Sequence, residues 1–164
     1  MDFSKLSQDG LKNLAAQAIL RIEKPEKGIG ATLFEALIKI VPQPSVEALV
    51  VDNLENPKKI LLIWRDDKHY KGWHFPGAFI RFGENFQDAL KRIILDELGA
   101  VMKNYKGTGV SYSELDSRGH TVGNVFMVEM YRQKITKPHQ WFNCVPKDLL
   151  KHHKQFLREV LGWE

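Results

Sequence analysis

Asp96 and Glu97 are adjacent carboxylates at the end of a helix-like run that follows a Gly-rich turn, in the segment GAFIRFGENFQDALKRIILDELGA, residues 77–100. Two hard oxygen ligands at one place suit Mg2+, or Mn2+ in its stead, because Mg2+ takes a few carboxylates and completes its shell with water and phosphate oxygens. A backbone carbonyl at Ala78 would add a further oxygen. Glu84 stands eight residues before Arg92, and Arg92 four residues before Asp96. A carboxylate in the loop and an arginine two turns along can pair and fix the loop against the helix. The start of that helix also offers unpaired N–H groups toward an anion. The same charges equally suit an ordinary solvated amphipathic helix, and spacing alone does not separate the two readings.

Other residues of chemistry-bearing type stand outside that segment. His120 opens the run HTVGNVFMVEM, and an imidazole is a residue type able to take up or release a proton. The alternative is a polar residue at a hairpin connection. Arg65 ends the run KILLIWR, where it either reaches a phosphate or faces solvent. His152 and His153 on the last helix read as surface or dipole-compensating groups, with a place in the cleft as the lesser alternative. Trp73, His74 and Phe75 flank a turn and read chiefly as core, as does Trp141, although an aromatic at that turn could stack on a base.

These residues need elements to hold them. Apolar residues recur at helical spacing from Gln8 to Ile22 and from Ala31 to Val41, interrupted by Gly28 and Gly30 and stopped by Pro42 and Pro44. SVEALVVDN and KILLIWR are short aliphatic runs around the turn-like NLENPK, a strand–turn–strand signal. WHFPGAFIRFGEN reads as extended segments and turns. Phe86–Leu98 is a strong helix that Gly99 is placed to end. GTGVSYSEL and HTVGNVFMVEMYR read as strands, HQWFNC as a short strand, and Lys147–Leu161 as an amphipathic helix. Helices before, between and after strands argue for layered α/β or α+β. The reading is a helical extension over residues 1–43, which packs on the domain or forms a dimer contact, and a catalytic domain over residues 44–164.

With 164 residues and 43% hydrophobic content, one core-bearing domain is expected. The net charge of +4 is mild, and part of the basic excess lies between Arg132 and Arg158. It is accounted for by solvated lysines or by a cleft that draws anions. Without a basic helix or an aromatic platform motif, nucleic acid is not expected as a partner. Cys144 is the single cysteine, so no internal disulfide forms. No secretory signal and no apolar run of membrane-spanning length is visible, so a cytoplasmic protein without membrane contact is expected.

The segment Ala78–Gly99 resembles the Nudix box: Gly, five residues, Glu, seven residues, Arg-Glu, two residues, Glu-Glu, one residue, Gly. Ala78 takes the first Gly position, Glu84 the first Glu, Arg92 the Arg, Asp96 and Glu97 the paired acids, and Gly99 the last Gly. ILLIWR followed by GWHFPGA, and PHQWFNCVPKDLL, are also similar to the family's flanking strands. The resemblance implies an α/β/α sandwich around a mixed sheet, here with an N-terminal helical extension. It implies Mg2+ held by Glu97, Asp96, Glu84 and the Ala78 carbonyl, with Arg92 and Gly99 structural. It also implies a small-molecule nucleotide substrate and a homodimer.

One departure carries weight. The acid after Arg92 is replaced by Ile93, one helical turn before Glu97, so one ligand and one charge are missing. The GDP-mannose mannosyl hydrolases of this family also lack that acid, and PSVEALVVDN is similar to their first strand, with Glu47 at the acidic position. That resemblance implies a nucleotide sugar attacked at the sugar carbon. Glu97 would then sit on Mg2+ and His120 would be the base. Arg65, Glu47 and Arg81 would bind substrate, Arg81 standing in for an arginine whose position is taken by Phe79. The alternatives are hydrolysis of a nucleoside diphosphate derivative at phosphorus, and a Nudix domain that binds a nucleotide or protein without turnover.

Overall fold

In the computed structural model, residues 3–131, 135 and 137–164 are described. Arg132, at the start of the basic stretch, lies outside them. The chain begins with helix α1 (Gln8–Ile19), capped by Ser7, whose Oγ accepts from the Gly10 N–H at 3.1 Å. A turn of 3-10 helix at Pro25–Lys27 leads to the short helix α2 (Ala31–Leu37). Both helices stop short of the expected Ile22 and Val41. The second cannot run on into Pro42, which disfavours helical backbone in the residue before it. Among the described residues no helix is long and apolar enough to cross a membrane.

Strands β1 (Gln43–Val51), β2 (Ile60–Asp66), β3 (Lys71–His74) and β4 (Gly77–Phe79) precede helix α3 (Phe86–Leu98). Strands β5 (Met102–Leu115), β6 (His120–Met130) and β7 (His139–Phe142) lead to helix α4 (Lys151–Leu161). All seven strands form one sheet, ordered β3-β2-β1-β6-β5, with β4 paired to β1 and β7 to β2. The sheet is mixed because β1 runs parallel to β6, Gln43 opposite Thr121 through Val50 opposite Val128, while the other pairs are antiparallel. β5 starts five residues before the expected Gly107 and carries a register shift between Gly107 and Ser111. α4 starts at Lys151, not Lys147, because Pro146–Leu149 forms a turn closed by Leu149 N–H to Pro146 O at 3.2 Å.

Period-two alternation gives β1 two buried faces. Val46, Ala48 and Val50 pack with Leu90, Ile93 and Ile94 of α3. Leu49 and Val51 pack on the other side with Phe156 and Leu157 of α4. The result is a sheet between two helices, the expected α/β/α sandwich. Glu47 follows the alternation onto the α4 side, next to buried Ser45, which puts a carboxylate among largely apolar packing.

The residues before β1 are fastened to the loop between β5 and β6. Ile38 is buried, its carbonyl accepts from the His120 N–H at 3.3 Å, and Lys39 Nζ donates to Ser117 O at 2.5 Å. Gly119, at φ 149°, lies so close that a Cβ there would fall 2.1 Å from the Ile38 oxygen.

Candidate active site

α3 is set up by local chemistry. Asn85 caps it by accepting the Asp88 N–H at 2.9 Å, and Gly99 ends it in the left-handed region at φ 65°. Arg92 reaches back from the helix to Glu84, Nε to Oε1 at 2.6 Å and Nη2 to Oε2 at 2.7 Å, and Nη2 also donates to Phe79 O at 3.0 Å. Glu84 Oε2 accepts the Arg81 N–H at 2.9 Å as well. The Arg92 guanidinium holds the Glu84 carboxyl below the usual range. Arg92 thereby ties the loop to the helix at three points, and the Arg81 N–H bond closes the loop on itself. Both Glu84 oxygens are engaged by Arg92, so in this arrangement Glu84 anchors the loop to the helix.

Ile93 is fully buried in the core against α3's own Ala89 and Leu90. The position where the family pattern has an acid is therefore a packing position in this chain. Glu97 lines a groove of ≈ 390 Å³ together with Arg65, His74, Gly77 and Pro138, and stands 3.7 Å from Lys137 Nζ. Asp96, the next residue back, is exposed. Among the described residues no three His, Cys, Asp or Glu side chains converge as a metal cluster. One carboxylate in the groove with a second beside it fits a cation shared with phosphate oxygens and water, and does not by itself make a closed cage.

Arg65, His74 and Gly77 also line a second, polar cavity of ≈ 70 Å³ between the sheet and α4, so the groove and the cavity share a wall. Tyr70 stands at its side between two guanidiniums. Arg65 Cζ lies 4.9 Å and Arg118 Cζ 4.7 Å from the ring centre. Arg118 Nη2 donates to the Tyr70 oxygen at 2.9 Å, and Tyr70 donates to Asp116. Burial pushes the Tyr70 phenol up, and the bond to Asp116 adds to it. Arg65 Nε donates to Asp67 at 2.5 Å, while Asp67 Oδ1 takes the His69 and Tyr70 N–H groups at 2.7 and 3.0 Å. Two arginines are thus preset, each by one carboxylate and one aromatic face.

Deeper in, Tyr112 donates to Glu47 Oε1 at 3.1 Å and shares a 2.7 Å bond with Ser45 Oγ. Glu47 presses on Gly77, where a Cβ would stand 2.2 Å from Oε2, so any larger residue at that position of β4 would push the Glu47 carboxylate aside. Burial pushes the Glu47 carboxyl up to about 8, against the lowering effects of Tyr112, Arg118 and Arg65. It is therefore largely protonated at neutral pH and can donate as well as accept. His153 lies beside it, stacked on Phe75 at 4.4 Å, with Nδ1 accepting the Phe75 N–H at 3.1 Å. That leaves the proton on Nε2, which is buried without a hydrogen-bond partner, 3.8 Å from Glu47 Oε2. Burial lowers His74 to about 4. Its Nδ1 meets Phe75 O at 2.6 Å, and in the tautomer that donates there, Nε2 is an acceptor.

The structure brings together Arg65, Glu47, Ala78 and Glu97 of the residues singled out from sequence. It does not bring in His120. Thr121 faces the cavity, so strand alternation turns His120 away, and its Nε2 bonds Ser113 Oγ at 2.8 Å. Arg81 lines a separate, apolar pocket. His152 and His153, read as surface groups, line the polar cavity, and His153 is only 2% exposed. The signal was present: His153 sits three and four residues before Phe156 and Leu157, on the helix's apolar face. Tyr70, Arg118, Asp116 and Tyr112 were missed. They sit on loops or a long strand edge, and nothing local marks them.

A family model described as NUDIX domain matches residues 42–157. A Methanocaldococcus jannaschii protein named ADP-ribose pyrophosphatase is 32% identical over 127 residues, 71% of this chain and 75% of that protein. A MutT NUDIX hydrolase from Burkholderia pseudomallei aligns with TM-score 0.62 at 21% identity, over 73% of this chain and 98% of its own. The NUDIX domain of Shewanella oneidensis NrtR, solved with ADP ribose, aligns with TM-score 0.58 at 18% identity, over 90% of this chain and 96% of its own. Sequence model, relative and fold agree: this chain belongs to the Nudix hydrolase family.

Proposed function

We propose that the protein hydrolyses a nucleoside diphosphate linked to a sugar, of the ADP-ribose kind, with a divalent cation. The observation that carries this reading is the shared wall of Arg65, His74 and Gly77, which joins a preset arginine pair to the groove of Glu97. Arg65 and Arg118 bind the diphosphate, two donors aimed where negative charge gathers. Glu97, with Asp96 beside it, would hold Mg2+, which when bound neutralises phosphate charge and helps it leave. His74, unprotonated above about pH 4, takes the proton of the attacking water in place of His120. Glu47 and Tyr112 meet a sugar hydroxyl as neutral partners. The relative named for ADP-ribose supports that sugar class over GDP-mannose.

A second reading, attack at the sugar carbon, is favoured by Ile93. With that position buried, a single box acid lines the groove, enough to assist departure of a diphosphate. Hydrolysis in 18O-water separates the two. Attack at phosphorus yields a labelled nucleoside monophosphate or sugar phosphate; attack at carbon yields unlabelled nucleoside diphosphate and a labelled free sugar. Glu97→Gln should abolish turnover in either case. Turnover of none of ADP-ribose, GDP-mannose and other nucleotide sugars by the wild-type protein with Mg2+ or Mn2+ overturns the enzymatic reading.

A further inference from the structure

The residues before β1 also build a pocket. An apolar cavity of ≈ 420 Å³ lies between the segment Pro25–Phe34 and the loop after β4. Its walls include Phe34, Phe79, Ile80 and Phe82, with Gln43 and Arg81 among its polar groups. Phe34 and Phe79 already pack ring to ring at 4.6 Å and 50°. Phe82 is 74% exposed, an aromatic surface that the core does not use. Gln43 spends an amide N–H on Val41 O at 3.2 Å, which leaves its oxygen as an acceptor at the edge. Phe79 lines both this pocket and the polar cavity. Phe79 is thus the wall that the polar cavity holding Arg65 shares with this aromatic pocket.

We propose that this apolar pocket is the nucleobase site, and that the N-terminal segment thereby sets which bases the enzyme accepts. The inference rests on the diphosphate-sugar reading above for its anionic half. A flat heteroaromatic ring suits the place: faces of phenylalanine for stacking, an amide oxygen for an exocyclic amino group, a guanidinium for ring nitrogens. An aliphatic ligand would leave the two polar edges unmet.

The test measures binding by calorimetry, with ADP and inorganic pyrophosphate as probes and Mg2+ present. Phe82→Ala removes an exposed ring and so spares the fold, and Phe34→Leu keeps apolar volume while removing a ring. Each should weaken ADP roughly tenfold and leave pyrophosphate unchanged, whereas Arg65→Ala should weaken both. If ADP affinity survives both Phe variants while Arg65→Ala weakens it, the base sits elsewhere and the diphosphate reading stands alone. If Arg65→Ala leaves both probes unaffected, the diphosphate reading falls as well. If Phe82→Ala shifts the oligomeric state in light scattering with ADP affinity intact, the patch is an interface between copies and the proposal is overturned.

Discussion

Replacing Glu47 with Gln should remove a pH dependence of stability that the wild-type protein carries above neutrality. The folded carboxyl titrates at about 8, against 4.5 for the free group. Between those values the folded state binds the extra proton, so stability falls as pH rises. The full span is worth about 5 kcal/mol at about 1.4 kcal/mol per unit. Below pH 6.5 the effect is masked, because His74 and His153 have folded values depressed by burial and lose stability in the opposite direction, as pH falls. From pH 6.5 to 8 the depressed histidines, His152 among them, still add up to about 0.4 kcal/mol each in the opposite sense, but both proteins share that change, so the difference between wild type and variant isolates Glu47 and falls by about 1.5 kcal/mol. Gln keeps the neutral shape and can still meet Tyr112. Urea denaturation at half-unit steps reads the result. The wild-type curve should drop toward the Gln variant's across the window; curves that stay parallel refute the assignment of a buried, protonated Glu47.

Ile93→Ala should lower stability by about 2–5 kcal/mol in urea, since it opens a cavity in a closed core. Ile93→Glu should not restore a stronger metal site: it buries a charge and should fail thermal-shift comparison with the wild type, and a stable, more active variant would contradict the packing. Arg92→Met leaves the Glu84 carboxylate without its partner and should cost about 3 kcal/mol, with loss of turnover at lower temperature than loss of helix signal in circular dichroism. Gly77→Ala forces a Cβ into the Glu47 carboxylate and should raise KM with little change in secondary structure; an unchanged KM would show that Glu47 is not at the substrate.

A layered α/β or α+β fold was legible because its signals are periodic, and the sandwich itself was what the Nudix-box resemblance implied. The strong α3 pattern, its Gly99 stop and the alternation of β1 are local, and the sheet follows from them. Glu84 and Arg92 were legible as a pair from their spacing. The polar cavity was not, because it is assembled across the chain: Arg65 from β2, Tyr70 and Arg118 from two loops, and His153 from the last helix. His120 lies outside that cavity because its neighbour Thr121, one strand position on, faces inward in its place. Element ends at Leu37 and Lys151 were blurred by prolines whose influence reaches back or forward a few residues.

The parallel zipper of β1 against β6 joins strands from opposite halves of the chain. Such a pairing cannot be nucleated by a hairpin, and its loop-closure entropy must be met before any gain. During synthesis, β1 therefore waits with an unpaired, strongly aliphatic edge until β6 has left the ribosome. The arginine cavity, which also needs α4, is completed only once that helix has followed β7, so a chain that stalls before it exposes an aggregation-prone strand and holds an unfinished cavity.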